Sequence, residues 1–286
     1  MLADVDAGAK EDPSKILAAQ FLRSWLDQKT DIEARTRETY SYVINKHLIP
    51  EFGKLTLDRL DRPMIRSLYA RWLKEGRIKG NGGVSPATIR KFHTVLREAL
   101  QTAVEDGLVV RNVAAGVVLP KDAWRERRAL SPEECAQLLN GARRSRLFAP
   151  ILLALVTGMR RGELLGLKWA DLDLELARVA IRRSLERTSD GLRLKAPKSN
   201  RARVVALPAT AVDILWSHRA AQHEERLRCG AAWANNGLVF PSLAGSPWDP
   251  SNFSTEFRRL AKMTGSVALG RTHFAIQQQP RCCATV

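Results

Sequence analysis

Apolar residues along the first 110 positions recur at intervals of three and four. Ile16, Leu17, Phe21, Trp25 and Leu26 form one stripe and Tyr40, Val43, Ile44, His47 and Leu48 a second, which predicts two amphipathic helices. The segment 49–63, IPEFGKLTLDRLDRP, is expected to break the second helix at Pro50 and Gly53 and to start a third at Pro63. That third helix carries Ile65, Leu68, Tyr69 and Trp72, and the glycine-rich GRIKGNGG ends it. Ser85 followed by Pro86 supplies a capping hydroxyl and a proline at the first helical position. The helix after it buries Ile89, Phe92, Leu96, Leu100 and Val104, so a four-helix N-terminal domain is expected.

The pattern loosens over 107–128, GLVVRNVAAGVVLPKDAWRERR, where short apolar runs alternate with Gly116, Pro120 and a basic cluster; this reads as a linker. Ser131 with Glu134 three residues on is a capping box that opens a second helical domain. Helices are expected over about 131–142 and 147–156, and another from near Arg161. Between 178 and 207 the period shortens to the β-branched runs VAIRRS and RVVALP around the turn residues SDG, which predicts one small sheet among helices. A long helix over about 208–228, a short strand LVF at 238–240 and a helix over about 250–263 follow.

Composition adds a direction. With 45% hydrophobic and 27% charged residues the chain folds as a globular protein, and its 286 residues suit two domains. Forty-six Lys and Arg against 30 Asp and Glu leave +16, and most of that excess follows Asp122, where 26 basic residues face 14 acidic ones. Such a surface favours a polyanionic partner. The longest apolar stretch, 149–159, is far below the roughly 18 residues that span a bilayer. The acidic opening MLADVDAGAKEDPSK is unlike a signal peptide, so a cytoplasmic location without membrane attachment is expected. Cys135, Cys229, Cys282 and Cys283 form no CxxC pair and are expected as free thiols. His218, His223 and Cys229 lie on one polar helix without a paired ligand motif, and no metal or other cofactor is expected. Glu133 with Glu134 and Asp171 with Asp173 read as cap and turn residues, and the seven tryptophans as core. No Walker loop or dinucleotide fingerprint occurs.

Two segments carry candidate chemistry. In TGMRRGELLGLKW (157–169), Thr157 and Gly158 end an apolar helix and the next begins at Arg160 and Arg161, where free backbone amides and guanidinium groups suit a phosphate oxygen. In LKAPKSNRARVVALP (194–208), Lys198, Arg201 and Arg203 stand beside a turn within reach of backbone phosphates. The first string, with Glu163, Leu164, Leu167 and Trp169 in place, resembles the first conserved box of the tyrosine recombinase, or phage integrase, family. The second resembles the family's hairpin that holds a catalytic lysine just before a strand ending in Leu-Pro; Lys198 is the matching position, with Lys195 as the nearby alternative. TRETYSYVINKHLIPEFG (36–53) and VSPATIRKFHTVLREALQTAVEDGLVVRN (84–112) look like the family's core-binding domain, and GLVFPSLAGSPWDPSNFSTEFRRLAKMTG (237–265) is similar to the segment ahead of its second catalytic box.

The resemblance implies a mainly α architecture: a helical, SAM-like core-binding domain joined to a mixed helical catalytic domain with a small antiparallel β-sheet, the DNA breaking–rejoining fold. The implied organisation is a polar tail over 1–14, a core-binding domain over 15–112, a linker over 113–128, a partial catalytic domain over 129–270 and an unrelated tail over 271–286. The implied partner is double-stranded DNA, clamped between the domains, with self-association on DNA in the intact enzyme. The implied chemistry is metal-free: a tyrosine attacks a backbone phosphate to give a 3′-phosphotyrosine, arginines stabilise the non-bridging oxygens, and a lysine protonates the departing 5′ oxygen. Arg160 and Lys198 take the first-arginine and lysine roles, and Arg90, Lys91, Arg161, Arg201 and Arg203 are candidate DNA contacts.

The family's HxLRH pattern and later nucleophilic tyrosine have no counterpart in GRTHFAIQQQPRCCATV, and Tyr40, Tyr42 and Tyr69 all precede the second domain. The codons for RTHFAIQQQPRCCATV, read from the third base of the Arg271 codon, permit HPLRHSAATPLLRNG, which contains HxLRH. A frameshift near Gly270 is therefore expected, leaving a catalytic domain incomplete at its C-terminus, and a further arm-binding domain at the N-terminus is expected to be absent. Two functions follow: a site-specific recombinase whose full reading frame is the enzyme, or a DNA-binding remnant that occupies recombination sites without cutting.

Overall fold

The computed structural model describes residues 16–76, 80–121, 130–197 and 202–265. Lys198, Arg201, the tail over 271–286 and residues 1–15 lie outside the described residues. The chain divides into two compact units, Met1–Arg125 and Glu126–Val286.

The first unit is built from α1 (Ala18–Gln28), α2 (Ala34–Val43), α3 (Ile49–Phe52), α4 (Arg62–Glu75) and α5 (Pro86–Glu105). Most of the expected stripes form its core: Phe21, Trp25, Ile44, Leu48, Ile65 and Trp72 are buried, whereas Leu17 is exposed and Val104 half-buried. Helix starts follow their caps, since the Asp61 carboxylate accepts from the Met64 amide at 2.7 Å and the Ser85 hydroxyl from the Thr88 amide. Pro50 does not break the second helix. Residues Ile44–Leu48 form a π turn whose Ile49 amide donates to Ile44 five residues back, and the wider turn accommodates a proline ring that would strike the preceding turn of a regular α-helix. The helix therefore runs on to Phe52, which is buried, and stops at Gly53. Past α5, Ala114 and Val117 are buried in the same core, so the chain stays packed on the first unit well beyond residue 112.

The second unit opens with α6 (Pro132–Ala142), whose capping box has both expected bonds: Ser131 Oγ accepts from the Glu134 amide at 3.2 Å and Glu134 accepts from the Ser131 amide at 2.9 Å. It continues through α7 (Phe148–Thr157), the short α8 (Arg161–Leu165), α9 (Ala209–Cys229) and α10 (Pro250–Met263). The expected single sheet is two. Strands β1 (Leu172–Asp173), β2 (Arg178–Ile181) and β5 (Arg203–Ala206) form one antiparallel sheet in the order β1-β2-β5, with Val179 opposite Val205. Strands β3 (Ser184–Thr188) and β4 (Gly191–Lys195) make a separate hairpin around Ser189 and Asp190. The division falls at Arg182 and Arg183, where the Arg183 guanidinium turns to the buried Asp171 carboxylate at 2.9 Å. Residues 238–240 form no strand; one bridge, Lys168 to Leu238, holds the segment extended while Leu238, Val239 and Phe240 are buried.

Candidate active site

The geometry starts where α7 ends. The all-apolar helix stops because Gly158 adopts φ 64°, a left-handed conformation that costs glycine nothing, and its amide closes the last turn on Ala154 at 2.9 Å. Arg160 is then extended, with φ −71° and ψ 152°, at the N-cap of α8. The helix docks closely on β3: a Cβ at Gly162 would come within 2.4 Å of Ser184 Oγ and 2.7 Å of the Leu185 carbonyl, so the glycine of the RRGE string is a packing requirement.

The centre of the site is Glu163, whose side chain is only 1% exposed. Its carboxylate accepts from the Arg160 amide at 2.9 Å and from Arg160 Nη1 at 2.9 Å. From β5, Arg203 approaches as a fork, Nη1 donating to Oε1 at 3.0 Å and Nη2 to Oε2 at 2.6 Å. Burial works against the charge on Glu163, but the bonds from Arg203 and Arg160 outweigh it and hold the carboxyl below its usual range. One buried anion therefore ties α8, with Arg160 at its N-cap, to β5. Arg160 remains 61% exposed, a guanidinium anchored at its base with its remaining donors open to an incoming anion.

The other candidates are placed differently. Arg161 donates to Ser254 Oγ at 2.6 Å and to the Pro250 carbonyl at 3.2 Å, fastening α8 to the start of α10. Arg203, expected at DNA, has both terminal nitrogens on Glu163. Lys198 and Arg201 fall outside the described residues, but the alternative lysine does not: Lys195 Nζ pairs with Glu186 at 2.8 Å beside Arg193. Burial opposes the Glu186 charge, and the bonds from Lys195 and Arg193 overcome it to keep that carboxyl low. In the first unit Arg90 and Lys91 lie on the exposed face of α5, where an Arg90 nitrogen reaches the Pro120 carbonyl at 3.5 Å. Glu163 stood in the sequence only as part of a string. The signal for its role is a glutamate at the third position of a helix capped by arginine, the spacing of a capping box.

The tyrosines serve the first unit. Tyr40 stacks on Trp25 and donates to Glu98 Oε2 at 2.7 Å; burial and that bond push its hydroxyl up to about 12. Tyr69 is buried against His93 Nδ1 at 3.2 Å, and burial raises its hydroxyl further. Tyr42 is half exposed. Of the three potential ligands on α9, His218 has Nε2 on the Val239 carbonyl at 2.7 Å, and among the described residues no three His, Cys, Asp or Glu side chains cluster as a metal site.

Comparison with known proteins gives the arrangement a context. The profile of the phage integrase family matches residues 128–275, and that of the phage integrase N-terminal SAM-like domain matches residues 19–79. The first match takes in His273 and the start of the segment expected to be out of frame. An integrase of Streptomyces ambofaciens is 31% identical over 273 residues, covering 92% of this chain and 67% of its own length. A XerC-like tyrosine recombinase of Caldanaerobacter subterraneus is 31% identical over 202 residues, covering 64% of this chain, which spans 52% of that relative. The structure of the Tn1549 transposon integrase in complex with transposon right end DNA has a TM-score of 0.74 at 18% identity, covering 88% of this chain and 79% of that one. A lambda integrase dimer bound to a COC′ core site has a TM-score of 0.63 at 18% identity, covering 87% and 82%. These two share the fold. With a family profile along half of its length and a 31% identical relative aligned over two thirds of that relative, the chain belongs to the phage integrase family of tyrosine recombinases.

Proposed function

We propose that the chain derives from a site-specific DNA recombinase that works through a 3′-phosphotyrosine, and that the present sequence binds duplex DNA without cutting it. The observation that carries the first part is the clamp of Arg160 and Arg203 on Glu163. It holds one exposed guanidinium where a phosphate oxygen can meet it and brings β5, which begins at Arg203, to the same carboxylate. In the reaction, a tyrosine oxygen bonds to phosphorus, the bond from phosphorus to the 5′ oxygen breaks, and that oxygen takes a proton from the lysine. Arg160 stabilises the charge on the non-bridging oxygens and Lys198 supplies the proton.

The second part rests on the tyrosines. The sequence holds three, at 40, 42 and 69, and the hydroxyls of Tyr40 and Tyr69 are engaged within the first unit. The +16 charge supplies phosphate affinity, with Arg90, Lys91 and Arg201 as contacts and Arg161 and Arg203 supporting the site. Self-association on DNA and a cytoplasmic location belong to the same reading. Self-association is supported by the likeness to the lambda integrase dimer bound to its core site; among the described residues no helix is long and apolar enough to cross a membrane.

The test is a labelled duplex carrying a recombination site, followed by anisotropy across a salt series, and the same site nicked to trap a covalent product. Binding that falls by orders of magnitude between 50 and 200 mM salt, as expected of roughly 6–10 phosphate contacts, without a denaturation-resistant adduct, is the expected result. An adduct on the nicked substrate overturns the non-cutting part; weak, salt-insensitive association overturns the whole reading.

A further inference from the structure

Helix α9 places Arg219, Gln222, His223 and Arg226 on one face at intervals of three and four residues. Against that face lies a cleft of about 190 Å³ walled by the indoles of Trp169 and Trp233. Buried Gln222 fixes one wall: Trp169 Nε1 donates to its Oε1 at 2.6 Å, while its own Nε2 donates to the carbonyls of Leu238 and Val239, each at 3.1 Å. The other wall is set by Gly245, at φ 78°, where a Cβ would come within 2.7 Å of the Trp233 ring. The Arg219 guanidinium stands 5.3 Å from the Trp169 ring centre and 5.6 Å from that of Trp216, itself 47% exposed. No carboxylate lines the cleft, and among the described residues none pairs with Arg219, His223 or Arg226. Asn235 and Asn236 add amides at the rim.

Cationic groups beside flat aromatic side chains recognise an anion that carries a planar ring. The face at 219, 222, 223 and 226 carries no acid, and while Trp169 is stacked on the His218 ring at 6.1 Å, half-buried Trp233 is the indole left to a ligand ring. We propose that this cleft binds one nucleobase with its phosphate, the ring against the Trp233 indole and the phosphate on Arg219, His223 and Arg226. A cleft of this size suits one base, purine or pyrimidine, rather than a base pair; the ligand is a free mononucleotide or an unpaired nucleotide of a DNA strand. This goes beyond strand cleavage and is independent of it, since none of these residues belongs to the clamp around Glu163.

The experiment is isothermal titration of the full chain with dAMP, with deoxyadenosine, inorganic phosphate and a single-stranded tetranucleotide as further arms. Wild type is expected to bind dAMP, with deoxyadenosine and phosphate each at least tenfold weaker. The double variant Arg219→Gln, Arg226→Gln should weaken dAMP at least tenfold, whereas the double variant Arg35→Gln, Arg59→Gln, an equal loss of charge in the first unit, should not. The altered positions are exposed, and circular dichroism checks that both variants are folded. A tetranucleotide tighter than dAMP assigns the site to a strand, and one no tighter assigns it to a free nucleotide. No dAMP binding, full affinity in the Arg219→Gln, Arg226→Gln variant, or phosphate equal to dAMP overturns the proposal.

Discussion

The two units bury their polar chemistry in opposite ways. In the first, rings pack on rings: His47 lies 4.0 Å from Phe92 and 5.7 Å from Trp72, and Tyr69 meets Trp72 and His93. Residue types that elsewhere act as nucleophiles or proton carriers are here consumed by packing. In the second, the core beside the site is aliphatic, with Ile151, Leu153, Leu164, Val179 and Ile181, and it buries two carboxylates, Glu163 and Asp171, each held by arginine. A buried acid with cationic partners orients those partners; a buried ring orients nothing outside the core. The lesson is that in this chain the buried carboxylates, rather than the histidines or tyrosines, mark where chemistry is prepared.

That contrast can be broken at three points. The largest effect belongs to Trp72→Ala, which should remove about 3–5 kcal/mol from the first unit through the cavity it leaves. Amide hydrogen exchange read separately in α4 and α7 should show faster opening in the first unit alone; equal loss in both would mean that the cores are not independent. Next is Glu163→Gln, which strips two arginines of their anion. Because Arg160 and Arg203 are partly exposed and rehydrate, the second unit should lose about 2 kcal/mol, less than a fully buried pair would. Exchange in α8 and β5 reports it, and an unchanged second unit would show that the clamp orients without stabilising.

The smallest effect is the response to acid, about 1 kcal/mol for each titrating group. Burial lowers His47, His93 and His218 from 6.5, so these rings fold neutral. The unfolded chain then takes up protons first, and stability present above pH 6.5 is lost as the pH falls toward the lowered folded values, in both units. Glu163 and Glu186 are held below 4.5, so the stability they give is complete above that pH and disappears as the pH falls through their folded values, in the second unit only. Exchange measured from pH 7 to pH 3 should therefore show one shared loss and then a further loss confined to the second unit.

Much of this architecture was legible from local chemistry. Ser85 with Pro86 and Ser131 with Glu134 mark helix starts by hydrogen bonds that span three residues, and the stripes of the first unit read directly as its core. What the sequence hid was set at longer range. Pro50 reads as a breaker because the π turn that accommodates it has no local signature. The sheet divides because Arg183 is drawn to an aspartate 12 residues earlier. Arg203 reads as one more basic residue in a basic hairpin until its partner, 40 residues away, is seen to be buried. The tryptophans read as core, which holds for Trp25, Trp72 and Trp248 and for Trp169 at the core's edge but not for half-buried Trp233 or exposed Trp216, while Trp124 lies outside the described residues.

The anchoring of Arg160 also has an order in time. Ribosomes make Glu163 before Arg203, so during synthesis the arginine emerges with only the local half of its support. Its aim is completed when β5 has formed and closed onto β2, bringing the second guanidinium to the same carboxylate. A nascent or partly melted chain therefore holds the Arg160 guanidinium loosely, and its aim matures together with the fold. The clamp is complete only once two distant stretches of the polypeptide have met.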